Sequence, residues 1–98
     1  MLETLQISDF AEHLHQSYTV MLASGDTLEL QLAEISALGT PADDRRRSFS
    51  LIFRHARTDA YLPQGIHTLH HPEMGPIALF LVPLGPASDG MRYEVVFA

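Results

Sequence analysis

The stretch "GIHTLHHPEMGPIALFLVPLG", residues 65–85, decides how this chain folds. Its histidines stand at 67, 70 and 71. On a helix they would occupy i, i+3 and i+4, share one face and chelate a metal. The flanks oppose a helix, because Pro63 and Gly65 precede the cluster and Pro72 and Gly75 follow it. Pro72 also pushes His71 into an extended conformation. The segment therefore reads as a short strand over 66–71, a turn at "HPEMG", and a second strand over 76–84. On such a strand His70 and His71 point to opposite faces, and His67 and His71 share a face about 13 Å apart, four residues at about 3.3 Å each. A common metal wants i, i+2 spacing on one strand, so a site local to this segment is not predicted. His13 and His15 have that spacing but diverge by about 200° on the helix predicted for them. What is left as a metal candidate is a set assembled across strands: His55, His67, His70 and Glu73.

Within the second strand, Ile77, Leu79 and Leu81 point one way and Ala78, Phe80 and Val82 the other, and both faces are apolar. An antiparallel strand of this kind has to be covered twice. One face meets the core. The other needs the N-terminal helix or a second subunit, which makes Ala78, Phe80 and Val82 interface candidates.

Outward from this stretch the strand period persists. Tyr18, Val20 and Leu22 alternate with Thr19, Met21 and Ala23. "SGD" at 24–26 is a hairpin turn. Leu28, Leu30 and Leu32 alternate with Glu29 and Gln31, and Ile35 breaks the phase, which predicts a bulge near Ala33. A polar loop over 36–46 leads to a strand with Phe49, Leu51 and Phe53 on one face. "LPQG" at 62–65 has the pattern of a type I turn. Tyr93, Val95 and Phe97 form the inner face of a last strand. The start of the chain is different. Ile7, Phe10, Ala11 and Leu14 fall on one helical face, Ser8 can cap it and Asp9 suits its positive end, so a helix over about 8–15 is predicted. Six strands from about 17 to 97 and one short N-terminal helix predict a mainly β single domain spanning 1–98: an antiparallel barrel or sandwich.

Composition restricts the function. The 98 residues suffice for one core, and a 46% hydrophobic content argues against disorder. Twelve acidic residues face six basic ones, all Arg, for a net charge of −6, which argues against a nucleic-acid binder. The one basic run, Arg45, Arg46 and Arg47, directly follows Asp43 and Asp44 and reads as a solvated loop. There is no Cys, hence no disulfide and no thiolate chemistry. "MLETLQISDF" lacks the pattern of a secretory signal, and the longest apolar run is far short of the roughly 20 residues of a membrane helix. A cytoplasmic location, or a place in an assembled particle, is expected. No nucleophile elbow, phosphate loop or metalloprotease motif occurs, so no catalytic residue and no cofactor is assigned. The aromatics at strand period read as core rather than as a base-stacking platform.

Several stretches together, "DFAEHLHQSYTV", "LELQLAEI", "FSLIF", "LPQGIHTLHHPEMGPIALFLVPLGP" and "YEVVF", resemble a family of short bacterial proteins known only as a domain of unknown function. Its pattern falls here on Phe10, Leu14 and Tyr18, on 49–53, on 62–70, on 79–85, and on Tyr93 with Phe97. His67 stands where that family has an aromatic, which argues against a special role for it. The resemblance transfers no catalytic or binding residues. It does imply, for some members, neighbouring genes for phage-tail-collar-like proteins. The expectation is thus a non-enzymatic structural or protein-interaction module, a homo-oligomer or the binder of a protein partner, in the setting of a phage-tail-like assembly. The alternative is a small-ligand or metal-binding protein that uses the strand histidines.

Overall fold

The computed structural model describes residues 7–22, 24–37, 49–56, 62–88 and 90–97. A short helix, α1 (Ile7–Ala11), precedes six strands: β1 (Ser17–Met21), β2 (Thr27–Ala37), β3 (Phe49–His55), β4 (Gly65–His71), β5 (Gly75–Ala87) and β6 (Gly90–Phe97). Every pairing is antiparallel, and the order β1-β2-β3-β6-β5-β4 closes on itself, so the chain is a six-stranded barrel and not a sandwich. The seam between β1 and β4 is the shortest, with two pairs, Thr19↔His70 and Val20↔Leu69.

The period of two places alternate residues inside. Tyr18 and Val20, Leu28, Leu30 and Leu32, Phe49, Leu51 and Phe53, Leu69, Ile77, Leu79 and Leu81, and Met91, Tyr93, Val95 and Phe97 are all buried. The bulge expected at Ala33 is present. The β2–β3 register runs Leu32↔Phe53 and then Glu34↔Ile52, and the extra residue returns Ile35 to the inner row opposite Leu51. A second irregularity at Leu84 separates Pro83↔Tyr93 from Gly85↔Arg92 and turns Leu84 outward. β4 begins at Gly65 opposite Leu81, so Pro83 and Pro86 lie where β5 is paired with β6 alone. Tyr93 is buried, and its hydroxyl oxygen accepts the amide of Leu62 at 2.8 Å, which ties the start of the β4 segment to β6.

The N-terminal helix departs from expectation. It spans Ile7–Ala11 rather than 8–15, so Ser8 lies within it and is not its cap. Of the predicted apolar face, Phe10 is buried and Ile7 packs on the core, but Ala11 and Leu14 are exposed. The helix stops because β2 captures the chain. The amide of His15, in a left-handed conformation (φ 73°), donates to the carbonyl of Leu32 at 2.7 Å, and the amide of Leu32 donates to the carbonyl of Gln16 at 3.0 Å. Bonding to a neighbouring strand thus overrides a helical periodicity that is marginal over so few residues. Phe10 caps one end of the barrel. Its ring lies 6.1 Å from that of Phe49 and 5.5 Å from that of Phe97, which stack on each other at 4.5 Å.

Because the helix caps the barrel end, it leaves the outer face of β5 bare. Ile77, Leu79 and Leu81 are buried, whereas Ala78 and Phe80 are exposed and Val82 is partly so. The helix as cover for that face is therefore excluded among the described residues. Ser36 and Ala37, expected in a loop, belong to β2. The remainder of that loop, with Arg45, Arg46 and Arg47, lies outside the described residues. No described helix is long and apolar enough to cross a membrane.

Candidate functional site

The end of the barrel capped by α1 is also where β4 ends, β5 starts and β1 starts. Two histidines meet there. Inward alternation from Leu69 places His71 inside, 5% exposed, while His70 faces out. The turn after α1 brings His13 beside it, with ring centroids 4.2 Å apart. Tyr18 of β1 packs on the other side of His71 at 4.9 Å, and its hydroxyl donates to Met74 Sδ at 3.2 Å. Burial pushes the Tyr18 hydroxyl up to about 12, so it remains a donor at physiological pH.

Hydrogen bonds fix the state of His71. Its Nδ1 accepts the amide of Glu73 at 3.0 Å and that of Met74 at 3.4 Å, and so closes the turn between β4 and β5. An accepting Nδ1 on a neutral ring leaves the proton on Nε2, which donates to Gln16 Oε1 at 2.7 Å. His13 Nδ1 lies 3.0 Å from the same oxygen and 3.6 Å from Glu73 Oε1. Two imidazole nitrogens therefore converge on one amide oxygen, with a carboxylate at the rim.

Burial holds the His71 pKa below its ordinary 6.5, the positive charge of His13 lowers it further, and Glu73 opposes both. The expected outcome in chelator-treated protein is a His71 titration midpoint below 6.5, read from the ring carbon shifts by NMR. Since the unfolded chain titrates at the ordinary value, the contribution of His71 to stability is fully present above that value and is lost as the pH falls toward the lowered folded value. A midpoint at or above the ordinary value would refute this arrangement.

The expected metal set is dispersed. Of His55, His67, His70 and Glu73, only Glu73 takes part in a convergence among the described residues, and its partners are His13 and His71. His67 Nε2 contacts the carbonyl of Pro63 at 2.8 Å. His70 faces solvent on the outer side. His55, the last residue of β3, is not among the residues whose ligand atoms converge. His55 is 8% exposed, its Nδ1 meets the carbonyl of Glu29 at 3.2 Å, and its buried Nε2 has no partner among the described residues. An open polar cleft of about 290 Å³, lined by Ser17, Glu29, Gln31, Arg54, His55 and Ala56, adjoins it. Sequence spacing missed His13 and His71. Their meeting depends on β1 and β4 being neighbours, and inward alternation from Leu69 was the one signal that marked His71 as buried.

The family model for a domain of unknown function, DUF6916, matches residues 5–97. The chain belongs to this family. No curated protein matches it, and no solved structure does. The DUF6916 match spans α1 and all six strands, so the histidine cluster and the bare face of β5 both lie within the family domain.

Proposed function

We propose that this DUF6916 domain is a non-enzymatic interaction module that self-associates through the outer face of β4, β5 and β6. One observation carries the reading: three large apolar side chains stand in a row on that face. Ile66 of β4, 72% exposed, pairs directly with Phe80 of β5, 49% exposed. Val96 of β6, 55% exposed, lies two residues beyond the Val82↔Glu94 pair, which is the position beside Phe80. Ala78 and Val82 extend the row along β5. Closure of the sheet leaves few unpaired backbone edges, so association by strand addition has little to work with and a face-to-face contact is favoured. Ile66, Phe80 and Val96 are all uncharged, and a two-fold axis would set the row of one copy against that of another. An accessory place in a phage-tail-like assembly, implied by the family resemblance alone, is one setting for such a face.

The test is light scattering coupled to size exclusion on wild type and Phe80→Glu. The expected result is a wild-type dimer or larger species and a folded monomeric variant. A carboxylate buried in an apolar contact costs several kcal/mol, so association should weaken by at least about 100-fold. Because Phe80 is half exposed on the outer face, the far-UV spectrum should not change. A wild type that stays monomeric at millimolar concentration would end this reading.

A further inference from the structure

We propose that His13, His71 and Glu73 form a binding site for one divalent transition-metal ion of the zinc, cobalt or nickel type. Each residue offers a ligand atom, and the three atoms lie within 4.8 Å of one another. His13 Nδ1 and Glu73 Oε1 are already 3.6 Å apart, close to the ~3.3 Å edge of a tetrahedron with bonds of about 2.0–2.1 Å. The convergence of His13 Nδ1 and His71 Nε2 on Gln16 Oε1, at 3.0 and 2.7 Å, marks the point at which both rings aim. Gln16 is an exposed side chain, so its amide can swing aside or remain as an oxygen donor beside the ion. The imidazoles are held by packing. His71 is buried against Tyr18, and the His13 side chain is 12% exposed. Glu73 is 74% exposed on a turn, free to close over an ion. Two imidazoles and one carboxylate select borderline divalent ions over Mg²⁺ or Ca²⁺, which prefer all-oxygen shells.

Loading has a proton consequence that identifies the site. In the metal-free chain Nε2 of His71 carries the proton and Nδ1 accepts the turn amides. Coordination through Nε2 moves that proton to Nδ1, where it faces the amides of Glu73 and Met74 and ends their hydrogen bonds. Both hydrogen bonds are partly buried, so their loss opposes loading, and binding is expected in the micromolar range rather than tighter.

The experiment is a calorimetric titration of untagged, chelator-treated protein with Zn²⁺, paired with amide NMR spectra. The wild type should take up one ion per chain, and the amide signals of Glu73 and Met74 should move on loading. His13→Ala and Glu73→Gln should each weaken binding by at least about 10-fold, and Glu73→Gln, at an exposed position, should leave the urea midpoint nearly unchanged. Glu73 is exposed, so Glu73→Gln keeps the test usable if His13→Ala does not fold. Absence of saturable uptake by the wild type would overturn the proposal. So would uptake that both variants leave intact, which would assign the ion to outward histidines such as His67 and His70. Neither result depends on whether the barrel self-associates, so this site and the apolar face stand or fall separately.

Discussion

Phe10→Ala is expected to destabilise the barrel by about 4 kcal/mol, within the usual range for removal of a buried phenylalanine. Phe10 is fully buried, and it is the one α1 residue whose ring meets the stacked pair Phe49 and Phe97. Truncation would open a cavity at the end of the barrel that the short helix cannot collapse to fill. The loss is a large share of the roughly 5–15 kcal/mol that holds a domain folded. Leu14→Ala is the control. Leu14 was expected on the same buried face but is 37% exposed, and its truncation should change stability by less than about 1 kcal/mol. Urea midpoints of the two variants test the claim. Similar losses for both would mean that the helix, and not its single ring, seals the barrel.

The second large effect is expected at Gly90. Its φ of +122° is one that residues with a side chain rarely adopt, and a Cβ placed there would fall on the carbonyl oxygen of His55. The clash is with backbone of the neighbouring strand, which cannot yield without disturbing the His55↔Met91 pair. Gly90→Ala is therefore expected to cost about 3 kcal/mol or more. Gly25 also has positive φ, +93°, but nothing lies within 4 Å of the Cβ it would carry. Gly25→Ala isolates the conformational strain, expected at about 1–2 kcal/mol. Thermal denaturation of both variants separates the two contributions. A Gly90 variant no less stable than the Gly25 variant would remove the steric argument.

Much of the architecture is legible in the residues themselves. Alternation placed Leu28, Leu30 and Leu32 inside, and the phase break at Ile35 located the bulge at Ala33, because a side-chain period of two makes any slip visible. The same rule showed that His70 and His71 face opposite ways and that Ala78 and Phe80 oppose Ile77 and Leu79. The helix was less legible. Ile7, Phe10, Ala11 and Leu14 carry a sound helical period, yet the backbone of Leu32 takes up the amide of His15 and ends the helix early. Periodicity describes a segment's own preference, and a strand that arrives from elsewhere can outcompete it.

The candidate site shows the same division more sharply. The sequence by itself determined the strand character of 66–71, the burial of one face of β5 and the apolar nature of its other face. Each of these follows from neighbours along the chain. Only the tertiary structure decided between barrel and sandwich, left Phe80 bare, and brought His13 to His71 across 58 positions of sequence. Closure makes β1 the neighbour of β4, and that long-range pairing has no local signature, because hydrogen bonds between strands are made by backbone groups that every residue carries.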